Sequence, residues 1–211
     1  SSVIYFGNDG GIYRTGNGTA TIPSISTKSN NYNVTQFYAC AIHPTAYSSH
    51  FLAGAQDNGS HRYSSLGINS TVEVTGGDGC FTHIDQNQPQ YQFTSYVYNN
   101  YYRSTNGGAS FAGMTSNNNG SFVNPTDYDD LNNNLYACFG NGNYYVILNA
   151  PANNTFTTVT VAAFNSGRVT HIMVSPNTSN RVFFGLNNGR IVRVDNAHTT
   201  TPTATSIAGI G

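Results

Sequence analysis

Tryptophan is absent from this chain of 211 residues, and lysine and glutamate each occur once, as Lys28 and Glu73. Only 8% of residues are charged and the formal net charge is -1. The arginines are scattered singly, so no basic stripe offers an electrostatic footprint for nucleic acid. No apolar run approaches the length that crosses a bilayer as a helix, so membrane insertion is not expected. There is no Gly-x-x-x-x-Gly-Lys loop to cradle phosphates and no Gly-x-Ser-x-Gly elbow for a serine nucleophile. Nor is there an Asp-x-Asp-x-Asp loop, so no cofactor is expected beyond a structural calcium ion held by Asp and backbone carbonyls. The histidines do not cluster as metal ligands.

Cysteine is also scarce. Cys40, Cys80 and Cys138 are an odd number, so at least one lacks a partner in the chain, and their spacing matches no zinc motif. Free cysteines behave as small buried hydrophobes, the expected state here. Cys40 and Cys80 would both open the first strand of neighbouring repeats, which leaves a bridge between them as an open alternative. The chain starts without Met or a leader, which fits a processed product or an excised piece.

Asn, Thr, Ser, Gly and Tyr dominate instead. Strong helix formers are rare while β-branched and aromatic residues abound, which favours strands joined by Asn/Gly turns. One pattern recurs: VIYFGNDGGIYRT (3–15), FLAGAQDNGSHRYS (51–64), YQFTSYVYNNYYRS (91–104), LYACFGNGNYYVIL (135–148) and RVFFGLNNGRIVRV (181–194). Each holds an apolar run, a small residue, an Asn/Asp/Gly turn and a second β-rich run, which is a hairpin signature. The small residue is Gly7, Gly54, Ser95, Gly140 or Gly185, and Arg14, Arg62, Arg103, Leu148 or Arg193 follows it. A further strand precedes most hairpins, with His43, Asp85, Asp130 and Ser175 at its end.

The period is about 45 residues with about four short strands per unit, which predicts an all-β propeller of four-stranded antiparallel blades. A single blade cannot bury both its faces, so blades must stack. The expected organisation is one propeller domain or propeller fragment over 1–211, with blade units near 1–32, 33–78, 79–120, 121–166 and 167–211. The first unit starts at its second strand. The tail TPTATSIAGI (201–210) is a candidate closing strand; a part of a larger propeller is the other expectation.

The segment STNGGASF (104–111) resembles the Asp-box, or bacterial neuraminidase repeat, through Ser104, Asn106, Gly108, Ser110 and Phe111. TGNGTATI (15–22) is a more degraded copy, through Thr15, Asn17 and Thr21. By these motifs the chain resembles the sialidase-like propeller superfamily, which includes sortilin-type and xyloglucanase-type propellers. The run from QDNGS (56–60) to YRSTNGG (102–108) is similar to Asp-box proteins secreted by Bacteroidetes-type bacteria. The resemblance implies a secreted or cell-surface protein, part of a larger polypeptide, whose partners are polysaccharides or surface proteins.

Glycoside hydrolysis needs two carboxylates facing one bond. Asp9 and Asp57 lie in equivalent hairpin turns, and NDGGIYR (8–14) is similar to, but one residue shorter than, the segment bearing the catalytic base in xyloglucanase-type enzymes. Asn141 and Asn187 take neighbouring turn positions in other repeats, so turn geometry is the competing reading for Asp57. Asp78 sits among three glycines in TGGDGC (75–80), between one blade and the next, where glycines allow close approach of backbone to a ligand or simply a tight turn. Tyr98, Tyr101, Tyr102, Asn99 and Asn100 form a second candidate site: rings to stack on sugar faces and amides to bond hydroxyls. Against this stands the packing of alternating tyrosines between blades. The favoured expectation is a non-catalytic module that recognises glycan or protein; the alternative is a hydrolase using Asp78 with Asp57 or Asp9.

Overall fold

The computed structural model describes residues 2–8, 10–30, 35–65, 67 and 71–208. Among them are nineteen strands and one turn of 3₁₀ helix, Ala162–Phe164. The chain divides into two compact units, Ser1–Thr35 and Gln36–Gly211.

The first unit is one three-stranded antiparallel sheet, blade 1, built from β1 (Ile4–Asn8), β2 (Gly11–Thr15) and β3 (Ile25–Thr27). The second unit holds four sheets, each a four-stranded antiparallel meander. Blade 2 comprises β4 (Phe37–Ile42), β5 (Phe51–Ala55), β6 (Gly59–Tyr63) and β7 (Thr71–Thr75). Blade 3 comprises β8 (Thr82–Ile84), β9 (Gln92–Ser95), β10 (Tyr101–Ser104) and β11 (Ala112–Thr115). Blade 4 comprises β12 (Thr126–Asp129), β13 (Asn134–Cys138), β14 (Asn143–Ile147) and β15 (Phe156–Thr160). Blade 5 comprises β16 (Val169–Val174), β17 (Val182–Leu186), β18 (Ile191–Asp195) and β19 (Thr203–Ala208). The C-terminal tail therefore supplies the fourth strand of blade 5, paired with β18.

Hairpin turns form where the sequence tolerates positive φ. Asp57 (φ 61°) and Gly59 (φ 73°) turn β5 into β6, and Gly189 (φ 78°) turns β17 into β18. Side chains that end the first strand then cap the turn that follows it. Asp85 Oδ1 accepts the Asn87 and Gln88 N–H groups at 2.9 and 2.8 Å, and Ser175 Oγ accepts Thr178 N–H at 3.2 Å. In blade 4 this role falls to Asp129, which accepts Leu131 and Asn132 N–H at 3.0 Å each, and not to Asp130.

The same blade is out of phase by two residues at its hairpin. Leu52, Phe93 and Phe183 pair with Arg62, Arg103 and Arg193, each lying two residues before the small position. The equivalent pair in blade 4 is Tyr136 with Val146, so Cys138 and Val146 replace the expected Gly140 and Leu148. The turn of blade 4 is longer, which misleads a count along the chain.

Blades 2 to 5 stack in chain order, and apolar clusters fill the gaps. Phe93, Tyr101 and Met114 of blade 3 meet Tyr128, Leu135 and Tyr145 of blade 4. Tyr136, Tyr144 and Val159 of blade 4 meet Ile172, Phe184 and Val192 of blade 5. Blade 4 is covered on both faces, so β13 is buried at every residue and its sequence does not alternate between apolar and polar.

Two repeated arginines fasten one blade to the next. Arg62 Nη1 donates to Gly108 O at 2.6 Å, in the turn between the third and fourth strands of blade 3. Arg103 Nη1 donates to Ala150 O (2.7 Å), Asn153 O (3.1 Å) and Asn154 Oδ1 (3.0 Å), in the matching turn of blade 4.

Candidate functional site

In each four-stranded meander the turn between strands two and three lies at the same end as the link to the next blade. In the second unit this end gathers residues 56–58, 76–81, 96–100, 116–125, 139–142, 161–168 and 187–190. Backbone bonds join turn to link: Gly59 N–H to Gly77 O (2.6 Å), Asn99 N–H to Asn117 O (3.1 Å), Gly142 N–H to Gly167 O (2.9 Å) and Asn187 N–H to Arg168 O (3.0 Å).

Asp78 and Asp57 meet here. The Asp57 backbone N–H donates to Asp78 Oδ1 at 3.0 Å. The half-buried Asp78 carboxylate thus closes the β5–β6 turn from the following link. Its glycine neighbours are small for a steric reason. A Cβ on Gly79 would stand 2.1 Å from Gly59 O, and one on Gly77 2.7 Å from the Tyr96 ring. The glycines of TGGDGC therefore seat the link against the hairpin. Asp9 lies outside the described residues.

The Tyr/Asn segment divides in two. Asn99 is 0% and Tyr101 2% exposed. Tyr101 Oη donates to Asn99 Oδ1 at 3.3 Å, and Asn124 Nδ2 donates to Asn99 Oδ1, to Tyr101 Oη (3.1 Å) and to Cys138 O (3.2 Å). Burial raises the Tyr101 hydroxyl pKa above the ordinary phenol value. These two residues tie blade 3 to blade 4. Tyr98, Asn100 and Tyr102 stay half-buried at the surface. Tyr98 takes a left-handed backbone (φ 58°) and meets Phe122 edge to face at 6.0 Å. Phe122 is 44% exposed. An open depression of about 260 Å³ is lined by Asn100, Tyr101, Tyr102, Met114, Thr115 and Ser116. It is smaller than the usual enclosed ligand cavity of roughly 300–1,000 Å³.

The sequence reading missed the link 116–125, which organises this end. Its Phe122 O accepts Tyr98 N–H at 3.0 Å and its Asn119 O accepts Gly140 N–H at 2.9 Å. Arg168 reaches it from blade 5, donating Nε to Ser121 Oγ (2.9 Å) and Nη2 to Asn119 O (3.1 Å). The available signal was its length: Ser116–Pro125 is longer than the 76–81 link, and its TSNNNGSF run is Asn-rich. Arg168 also stands off the register of the repeated arginines.

The cysteines are three free thiols, with Cys40 exposed and Cys80 and Cys138 buried, so no Cys40–Cys80 bridge forms. Burial pushes the Cys80 thiol up to about 12. Among the described residues no three His, Cys, Asp or Glu side chains converge as ligands for a metal ion.

The turn at 104–111 is closed by its own side chains. Ser104 Oγ accepts Gly108 N–H at 2.9 Å and Asn106 Oδ1 accepts Ser110 N–H at 3.0 Å. Ser104 Oγ also donates to Asn106 Oδ1 at 2.8 Å, and Thr15 Oγ1 donates to Asn17 Oδ1 in the same way at 2.9 Å.

No protein-family model and no curated protein matches the sequence. Solved structures do match its fold. YCF48 from Cyanidioschyzon merolae aligns over 97% of this chain and 67% of its own, with TM-score 0.59 and 13% identity. YCF48 bound to a D1 peptide aligns over 91% and 59%, with TM-score 0.58 and 12% identity. An ancestral GH74 enzyme aligns over 100% of this chain and 29% of its own, with TM-score 0.59 and 16% identity. The chain is a β-propeller. These neighbours share the scaffold and include both an enzyme and a peptide-bound protein, so scaffold alone assigns no chemistry.

Proposed function

We propose that this propeller is a non-catalytic recognition module that binds glycan or protein at the end bearing the 96–100 turn and the 116–125 link. The observation that carries this reading is the use made of the acids. Asp78 is engaged by the Asp57 amide as the closure of a turn, while the surface beside it presents rings and amides. Tyr98 and Phe122 offer an amphipathic aromatic edge, and Asn100 and Tyr102 line an open depression suited to one stretch of an extended polymer. The low charge of the chain, the Asp-box resemblance of 104–111 and a peptide-bound structural neighbour support a secreted or surface-displayed binder. Binding to a panel of polysaccharides and extended peptides tests this, with Phe122→Ala and Tyr102→Ala as variants. A ligand whose affinity falls about tenfold or more in both variants supports the reading. Affinity unchanged in both sinks it.

A hydrolase is the second reading, because the fold brings Asp57 and Asp78 to one turn. Asp78→Asn keeps an acceptor for the Asp57 amide and removes the charge. Reducing ends released from a polysaccharide by the wild type, and lost in this variant, would replace the binding reading with a glycoside hydrolase.

A further inference from the structure

Six Asn-Gly steps punctuate the chain, at Asn17, Asn58, Asn106, Asn119, Asn141 and Asn188. This dipeptide carries a reaction of its own. The glycine nitrogen attacks the asparagine side-chain amide, because glycine has no Cβ to hinder the approach and reaches backbone angles closed to other residues. In a folded chain the brake is the glycine N–H. A nitrogen whose hydrogen is donated to an acceptor is held in place and keeps its proton.

Five of the six steps are held in this way. Gly18 N–H donates to Ser2 O (2.7 Å), Gly59 N–H to Gly77 O (2.6 Å), Gly107 N–H to Gln90 O (3.0 Å), Gly142 N–H to Gly167 O (2.9 Å) and Gly189 N–H to Leu186 O (3.1 Å). Four of these asparagines are fixed by their side chains as well. Asn17 Oδ1 accepts Ser24 N–H, Asn58 Nδ2 donates to Gln56 O, Asn106 Oδ1 accepts Ser110 N–H and Asn188 Nδ2 donates to Phe164 O.

Asn119-Gly120 is different. Asn119 is exposed, and among the described residues neither its side-chain amide nor the Gly120 N–H makes a hydrogen bond. Gly120 is buried, so its N–H is a donor without an acceptor inside the 116–125 link, an unfavourable state. The other end of the same peptide group is engaged twice. Asn119 O accepts Gly140 N–H at 2.9 Å and Arg168 Nη2 at 3.1 Å. Two donors, one of them a cation, draw electron density out of this peptide group and make the Gly120 N–H more acidic.

We propose that Asn119 is a selective site of deamidation, promoted by Arg168. Gly120 N gives its proton to hydroxide and bonds to Asn119 Cγ. The Cγ–Nδ2 bond breaks, and ammonia leaves with a proton from water, which restores the hydroxide. The cyclic imide that remains has no N–H, so the unpaired donor is gone. Water then opens the ring: its hydroxyl stays on the carbon attacked, and the nitrogen regains a proton. Attack at Cγ gives aspartate. Attack at the former backbone carbonyl gives isoaspartate, whose main chain runs through Cβ. That second carbonyl bears the oxygen already held by Arg168 and Gly140, and these donors stabilise the oxyanion formed as water adds. Isoaspartate is therefore the main product. Its new carboxylate keeps this oxygen, so the Arg168 contact becomes an ion pair and the link lengthens by one backbone atom.

The test is incubation of the whole chain in mildly alkaline buffer made with heavy-oxygen water, followed by digestion and mass spectrometry of every Asn-Gly peptide. Synthetic aspartyl and isoaspartyl peptides identify the products by retention time. The expected result is conversion at Asn119, mainly to isoaspartate, with the other five steps slower by about tenfold or more, the factor that one retained hydrogen bond supplies. In urea all six should react alike. Arg168→Gln removes the cation and should slow Asn119 about tenfold and shift its product toward aspartate. That is less than the roughly hundredfold of an enclosed oxyanion donor, because this end is open to water. Arg168→Lys keeps the charge and should stay near the wild-type rate. Reaction at all six steps in a variant would mark it as unfolded, and the folded wild type set against the urea sample then decides. Asn119 reacting no faster than the other five in the folded wild type would overturn the proposal, as would a folded Arg168→Gln that leaves its rate and product unchanged.

Discussion

β1 and β13 occupy the same place in their repeats, as the strand before the hairpin turn, and their sequences, IYFGN and NLYAC, are comparably apolar. Yet every residue of β1 is exposed and every residue of β13 is buried. The difference is not in the strands. β13 lies in a blade with neighbours on both faces, while β1 lies in the three-stranded sheet of the first unit. A propeller strand is stabilised by its stack more than by its own hairpin, because a lone twisted sheet covers too little apolar surface.

The sharpest way to break this comparison is to truncate equivalent rings. Tyr136 is fully buried, its ring centre 6.2 Å from that of Tyr144. Tyr136→Ala should cost about 3–5 kcal/mol in urea unfolding, as large buried aromatics do. Tyr5, 64% exposed with the Arg14 guanidinium 5.9 Å above its ring, should cost about 0.5 kcal/mol or less. Equal losses would mean that β1 is as well packed as β13.

The arginine clamps give the next largest effect. Arg103→Ala removes three bonds into blade 4 and should cost about 2–3 kcal/mol, the range for bonds to a charged donor. Arg193→Ala should cost about 0.5 kcal/mol, since it loses a partly exposed ion pair with Asp195.

A smaller effect separates the stack by pH. Burial first, then the neighbouring carboxylates Asp85, Asp127 and Asp129, raise Asp130 to about 6, although the Gln86 N–H donated to it pulls the other way. The folded state therefore holds this proton more tightly than an unfolded aspartate, with its value of about 3.9. Its contribution is fully present below about pH 4 and is lost as pH rises through about 6. Asp130→Asn should flatten that decline and raise stability at pH 7 by on the order of 1 kcal/mol, after allowance for solvent screening. The wild type and variant share His50 and His83, whose pKa values burial lowers, so the difference between their urea curves isolates Asp130.

The least perturbing probe is thiol labelling. Cys40 should react in the native protein, whereas Cys80 and Cys138 should react only after unfolding, as read by intact mass. Labelling of all three at one rate would show that the stack opens as readily as its edge.

Much of the fold was legible in the chain. The recurrence of apolar run, small residue, Asx/Gly turn and arginine located the hairpins, and Asn187-Asn188-Gly189 could hardly be anything but a turn. The phase of blade 4 was not legible, because Asn and Gly fill several adjacent positions of its longer turn and any of them satisfies the pattern. Of the candidate site, Asp78 was located, but its work was not. The bond that occupies it comes from a residue twenty-one positions earlier. Asn99 and Tyr101 read like their neighbours Asn100 and Tyr102, and only the packing of blade 4 against blade 3 sorts buried from half-buried.

The sequence by itself determined the all-β class, the repeat and the turns, since these depend on backbone preferences within a few residues. Only the tertiary structure decided which strands are core, which acids close turns and which arginines act as clamps. The arginine clamps join residues some forty to fifty positions apart, one blade to the next, and strand alternation is the same whether a neighbouring blade covers the face or water does.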